Sequence, residues 1–498
     1  MTDRWPRYDV LTHRARTTPE RTALIDADSG ERWRYRALDD AVDSLAASLD
    51  DLGVSLGTRV GILLSTGPTY VRLLHAIWRL GGVAVPLNVQ KTDAQLAAQA
   101  QRAAVDLLVC SGETAASATE LGVDPAVSID DAADVETPTG VAPLPDAAAE
   151  TLVPIARDVD SLALLLFTSG TTGQPKGVRL TRENLLASAE ASAYRLGVAP
   201  GDRWLCCLPM YHMGGLAPAV RTALYGTTLV VQREFDASET AAVIDEYEIS
   251  GVSLVPTMVK RMLDAGWTPT KNLDTVLLGG APASESLLER ALDREVPVYA
   301  TYGTTETASQ IATASPQQTA DCPGTVGQPL VTTTIRILDG DEPADVGETG
   351  EIVVSGPTVT PGYLDEDRTT EAVDDYGFHT GDVGYRDADG RLWVVGRLDD
   401  RIVSGGENVD PEVVAGAIRE HPAVDEVAVV GLPDEEWGER VAALVVGAVD
   451  TDEIREHCRE RLAEFEVPKT VVVTDRIPRT PSGTVDREAV RERLRGAD

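Results

Sequence analysis

Hydroxyl side chains and glycines crowd into residues 166–177, which read LFTSGTTGQPKG and close on a lysine. Thr168, Ser169, Thr171 and Thr172 offer hydroxyl donors there. Gly170, Gly173 and Gly177 permit positive φ and close backbone approach, so successive N–H groups can converge on an anion. Lys176 adds a compact positive charge, and a polyphosphate is the natural guest of such a loop. The Walker A pattern does not fit, because no glycine directly precedes a Lys-Ser or Lys-Thr pair. The apolar run 162–167 predicts a buried strand ending at Thr168. Thr181 predicts the cap of a helix over 182 to about 194, giving the order strand, loop, helix.

Further short constellations follow along the chain: LGGAP at 278–282, YGTTE at 302–306, TGD at 380–382, GRLDD at 396–400 and SGGEN at 404–408. Taken singly, each reads as a turn or a helix start. In this order, and after TSGTTGQPKG, they resemble the signature motifs of the acyl-adenylate-forming superfamily, which includes acyl-CoA synthetases, luciferases and peptide-synthetase adenylation domains. The resemblance runs from about residue 20 to the end of the chain.

That resemblance implies an enzyme that activates a carboxylic acid with ATP and Mg²⁺ and passes the acyl group to CoA. Charge gathers around the α-phosphate as pyrophosphate leaves, so donors, a cation and a metal must converge there. By resemblance, Glu306 holds Mg²⁺ and Thr305 donates to the α-phosphate. Tyr302 offers its ring to adenine, flanked by Gly280, Ala281 and Pro282, with Gly303 and Thr304 completing the motif. Asp382 accepts from the ribose hydroxyls, and Arg397 adds donors beside ribose and phosphate. Asp399 becomes the pivot of a hinge that swings Gly405, Gly406 and Glu407 toward a thiol tunnel. His212, in LPMYHMGG, falls at the wall of the acyl pocket, and Ser309 is a candidate substrate contact. The stretch YGTTETASQIATASP is most similar to o-succinylbenzoate-CoA ligases of menaquinone synthesis. Its small polar residues suit a substrate with a second carboxylate better than a long alkyl chain. Another aryl- or fatty-acyl-CoA ligase is the nearest alternative, and an acyl-adenylate or nucleotide binder without catalysis is a further one.

One position departs from the family pattern. Residues 478–487 read PRTPSGTVDR, and Thr484 stands where the superfamily has a lysine that bridges carboxylate and α-phosphate. A threonine donates a hydrogen bond but brings no charge, which implies either that Arg479 or Arg487 substitutes or that adenylation is slowed.

The elements that must position these residues belong to a large enzyme. At 498 residues the chain can bury more than one core. The motif order predicts a division into 1–395, a hinge at 396–400 and a lid at 401–498, and the resemblance implies an α/β fold. By resemblance, the first part is bipartite, with α/β subdomains plus a distorted β-barrel, and the lid is a small mobile α+β domain. Residues 112–160, rich in Ala, Asp and Pro, read as peripheral loops and short elements. Lys and Arg number 44 against 80 Asp and Glu, a formal charge of −36, and lysine occurs only at 91, 176, 260, 271 and 469. Such acidity disfavours a nucleic-acid partner and predicts a salt-rich cytoplasm that screens self-repulsion. Five cysteines show no CxxC pair, the six histidines lack metal-ligand spacing, and no apolar run of membrane-spanning length appears. The expected partners are a small carboxylic acid, ATP and CoA, in a cytoplasmic setting.

Overall fold

The computed structural model describes residues 5–130, 138–145, 155–168, 175–398, 402–404, 407–409, 411–434, 437–479 and 485–496. The chain forms two compact units: residues 1–335 with 354–378, and residues 336–353 with 379–498. Mixed α/β architecture, with a large N-terminal part and a small C-terminal domain, agrees with the fold read from sequence.

The larger unit holds two sheets. In the nine-stranded one, six adjacent parallel strands run Val298–Tyr302, Thr275–Leu278, Gly251–Leu254, Arg203–Cys206, Thr228–Val231 and Thr22–Asp26. Short antiparallel strands close its edges: Ala312–Thr313 and Gln328–Pro329 on one side, Arg32–Arg34 on the other. The seven-stranded sheet is ordered Ala142–Pro143, Ala126–Ser128, Leu107–Cys110, Arg59–Leu63, Val83–Pro86, Leu162–Thr168 and Lys176–Thr181. Val83–Pro86, Leu107–Cys110, Thr228–Val231 and Thr275–Leu278 are buried at every residue, as parallel strands covered on both faces must be. Among the described part of residues 112–160 the short elements expected there include Ala126–Ser128, a buried strand, and Ala142–Pro143, the sheet's edge.

The order strand, loop, helix needs one correction. Leu162–Thr168 ends as expected, but Lys176–Thr181 is itself a strand, paired antiparallel with it through Phe167 opposite Gly177 and Thr168 opposite Lys176. The candidate phosphate loop therefore joins a hairpin and does not open a helix. Val178 and Leu180 supply the buried face, while Gly177 and Arg179 interrupt the apolar pattern and hide the strand in sequence. Gly177 has a packing role: a Cβ there would lie 2.5 Å from Leu364 Cδ1, so the glycine lets residues 362–364 close against the strand. Helix Arg182–Leu196 then starts where the cap was expected. Thr181 Oγ1 accepts from Asn184 N–H at 3.2 Å, and Asn184 Oδ1 accepts from Thr181 N–H at 2.8 Å.

The smaller unit contains most of a five-stranded sheet ordered Glu342–Pro343, Thr334–Asp339, Gly350–Ser355, Phe378–Arg386 and Leu392–Arg397. Its other sheet centres on an antiparallel hairpin, Val424–Asp434 with Gly438–Gly447, flanked by Thr470–Val473 and by Ile402–Ser404 with Glu407–Val409. Alternation sends Val427 and Val429 to a core shared with helices Pro411–Arg419 and Thr451–Arg459. Ala428, Val430 and Leu432 turn the other way, toward helix Arg487–Arg495.

Asn184 also donates through Nδ2 to the carbonyls of Pro357 at 2.9 Å and Val359 at 2.8 Å, anchoring the chain that leads to residues 360–364. Thr181→Ala is expected to cost about 1 kcal/mol. Asn184→Ala, which also removes the donor to two part-buried carbonyls, should cost about 2 kcal/mol, read as the larger drop in chemical-denaturation midpoint.

Candidate active site

Residues 360–364 run beside the strand that carries Lys176. Arg179 N–H donates to the Gly362 carbonyl at 3.0 Å and Leu364 N–H to the Gly177 carbonyl at 2.8 Å. This places the Tyr363 ring under the lysine, with Lys176 Nζ 5.4 Å from the ring centroid. The Tyr363 hydroxyl donates to Glu306 Oε1 at 3.0 Å, and Thr360 N–H donates to the Glu306 main-chain carbonyl at 2.7 Å. Lys176 and Glu306, joined in sequence only by the family pattern, are thus brought to one tyrosine that sequence reasoning missed. Glu306 Oε2 has no hydrogen-bond partner among the described residues. The described residues contain no group of three or more metal-binding side chains. One hard oxygen close to the tyrosine that seats Lys176 fits Mg²⁺, which takes most of its remaining ligands from phosphate and water.

The YGTTE motif follows strand Val298–Tyr302 at its carboxyl end, next to the carboxyl end of Thr275–Leu278, after which Gly280, Ala281 and Pro282 lie exposed. Crevices at such strand ends are where open parallel sheets bind ligands. Gly280 has φ +81°, as a tight turn requires. Gly303 is demanded more strictly, since a Cβ there would sit 1.6 Å from the Ser309 carbonyl oxygen. The chain crosses itself at that point after a short 3₁₀ turn, Thr305–Thr307. Ala308 (φ +52°) and Ser309 (φ +129°) hold conformations that side chains disfavour, and Ser188 Oγ donates to the Ala308 carbonyl at 2.8 Å. Backbone strain is concentrated at the residue assigned to substrate.

Ser309 meets a second residue absent from the sequence reading. Arg221 Nη2 donates to Ser309 Oγ and to Gln310 Oε1, both at 3.0 Å, and Gln310 Nε2 donates onward to Thr313 Oγ1 at 2.8 Å. Arg221 is 4% exposed, its Nε has no partner among the described residues, and burial lowers its pKa. It also borders a cavity of ≈ 380 Å³ shared with Ser192, Trp204, Tyr225 and Thr275. Helix Met213–Tyr225 carries Arg221 and begins after His212. The His212 ring packs edge-on against Tyr211, with centroids 4.9 Å apart, and its buried Nε2 lacks a partner among the described residues. Burial, with a smaller contribution from Lys91, holds the ring to a pKa of about 4, which suits a neutral wall better than an acid or base.

In the smaller unit, Asp382 and Arg397 face each other across adjacent strands. Arg397 Nη1 donates to Asp382 Oδ1 at 2.9 Å, Asp382 is 7% exposed, and its N–H donates to Thr380 Oγ1 at 3.1 Å. The two residues expected at the ribose therefore form one ion pair. Arg479 pairs with Glu426 at 2.9 Å and Arg487 lies 3.8 Å from Glu412, so both candidate replacements for the absent lysine are tied to carboxylates. Ser169, Gly170, Thr171, Thr172, Gly173, Asp399, Gly405, Gly406 and Thr484 lie outside the described residues.

The imidazoles allow a pH test. His212 and His75 are both depressed from 6.5 to about 4, chiefly by burial, so between those values the unfolded chain binds protons that the folded chain refuses. Their stabilisation is complete above pH 6.5 and is lost as pH falls toward 4, by at most about 3 kcal/mol for each ring. NMR titration should show His212 neutral at pH 6, and His212→Gln should flatten the acid limb of the stability profile. A ring half-protonated near pH 6.5 would contradict the buried-wall assignment.

Known proteins similar to the chain identify its family. The AMP-binding enzyme family matches residues 11–364, and the AMP-binding enzyme C-terminal domain matches residues 414–484. The chain is 35% identical over 488 residues to the 2-succinylbenzoate–CoA ligase of Listeria monocytogenes, covering 97% of this chain and 98% of that protein. It is 37% identical over 480 residues to the ligase of the same name from Bacillus licheniformis, covering 96% and 98%. Among solved structures, o-succinylbenzoate CoA synthetase from Bacillus subtilis with its acyl-adenylate intermediate has a TM-score of 0.89 at 34% identity, covering 97% of this chain and 98% of that one. The same enzyme with ATP and magnesium ion has a TM-score of 0.88 at 32% identity, covering 98% and 99%. The chain belongs to the AMP-binding enzyme family.

Proposed function

We propose that the chain is an ATP-dependent acid–thiol ligase that converts 2-succinylbenzoate and CoA to 2-succinylbenzoyl-CoA through an acyl-adenylate, releasing pyrophosphate and AMP, in menaquinone biosynthesis. Full-length likeness to ligases of that name, and to a synthetase solved with its acyl-adenylate, carries this reading.

The site residues fit the reaction in sequence. Hydroxyls and amides of the hairpin loop, with Lys176, grip the ATP tail, and Thr305 adds a donor at the α-phosphate. Bound through Glu306, Mg²⁺ would neutralise phosphate charge as pyrophosphate departs. Tyr302 and the turn 280–282 receive adenine, while Asp382 and Arg397 address the ribose. A substrate with a second carboxylate needs a buried positive charge, and Arg221, with Ser309 and Gln310 on its Nη2, offers one. His212 lines the acyl side as a neutral ring.

Division into 1–395, a hinge at 396–400 with Asp399 as pivot, and a lid at 401–498 belongs to the same proposal. Two reactions share one nucleotide, and rotation of the lid would bring Gly405 and Gly406 to the thiol. We place the enzyme in a salt-rich cytoplasm, since a formal charge of −36 requires screening. No helix among the described residues is long and apolar enough to cross a membrane.

Incubation with ATP, Mg²⁺, CoA and a panel of carboxylic acids in concentrated KCl should yield AMP and an acyl-CoA with 2-succinylbenzoate preferred. Preference for a benzoate or a fatty acid would transfer the chain to another ligase, and AMP from none would make it a binder. In carboxylate-dependent ATP–pyrophosphate exchange, Thr484→Lys should gain on the order of 10²–10³ if the missing charge limits adenylation. Absence of any gain would mean that another group already supplies the charge.

A further inference from the structure

We infer that Tyr363 is the positioning residue of the metal-bearing carboxylate: its hydroxyl engages Glu306 Oε1 and leaves Oε2 for Mg²⁺, while its ring seats Lys176. This rests on the proposed assignment of Glu306 to the metal.

Both partners of the hydrogen bond are pinned. The Glu306 main chain is held by Thr360 N–H, and Tyr363 N–H donates to Thr369 Oγ1 at 2.9 Å. The ring, 3% exposed, meets Phe378 edge-on with centroids 6.4 Å apart. A carboxylate with two rotatable oxygens near a lysine would ordinarily swing into an ion pair and leave both groups neutralised. No ion pair joins Lys176 and Glu306. Tyr363 accounts for this: one edge oxygen is occupied by a neutral donor, and the cation is held over the π face, so each keeps its charge for an incoming ligand. Orienting partners of this kind commonly change metal affinity on the order of 10–100-fold when removed.

ATP binding to the full chain, measured by calorimetry with and without saturating Mg²⁺, separates the parts of the inference. Tyr363→Phe keeps the ring and should lose on the order of tenfold of the Mg²⁺-dependent gain in ATP affinity. Its Mg²⁺-free affinity should fall less than in Tyr363→Leu, because the ring stays under Lys176 while Glu306 becomes free to turn toward it. Tyr363→Leu should weaken Mg²⁺-free binding as well, because Lys176 loses its seat. Glu306→Gln should abolish the gain. An unchanged gain in Tyr363→Phe, with Glu306→Gln abolishing it, would overturn the role of Tyr363 alone. A gain that survives Glu306→Gln would instead remove Glu306 from the metal. A lowered thermal midpoint in Tyr363→Phe with the Mg²⁺-dependent gain intact would reduce Tyr363 to a packing residue.

Discussion

Anion binding by a chain of formal charge −36 is a problem of placement. Its few cations must be kept from the many carboxylates around them, or none is left for a phosphate. The larger unit shows both outcomes. Arg79 is consumed by structure, buried among Asp9, Asp39 and Asp43, where it ties three helical segments together. Lys176 has no carboxylate paired to it among the described residues and lies against an aromatic face. Arg221 is intermediate: it is buried and hydrogen-bonded to neutral side-chain oxygens, with no carboxylate paired to it among the described residues.

Backbone geometry solves the matching problem for the donors. Two glycines are required by collisions that a side chain would cause, Gly303 beneath Ser309 and Gly177 against Leu364, and both bring a distant segment onto a motif. The positive φ of Ala308 and Ser309 is the cost of that crossing. Parallel strands leave their carboxyl ends side by side, so motifs separated by a helix in sequence arrive at one rim.

Much of this was legible in sequence because motifs report local chemistry. The apolar run before Thr168, the cap at Thr181, and the acidic and aromatic residues of YGTTE all occupy the elements expected of them. What escaped was of two kinds. Strand Lys176–Thr181 has only Val178 and Leu180 to show its alternation, too short a signal beside a glycine. Tyr363 and Arg221 act on residues 57 and 88 positions away, and no local pattern carries a contact of that span. For Tyr363 the one available hint was its place in a Gly-Tyr pair after an apolar strand.

The hairpin of Val424–Asp434 and Gly438–Gly447 has a final implication. Its alternating residues feed one apolar cluster on each side, and both clusters consist of residues from 402 onward. Val413 and Val473 are large apolar side chains that this segment leaves at the surface, while its remaining valines and leucines serve chiefly its own two clusters. The interior that holds these strands and helices together is thus supplied within one stretch of chain, as an independently folding domain requires.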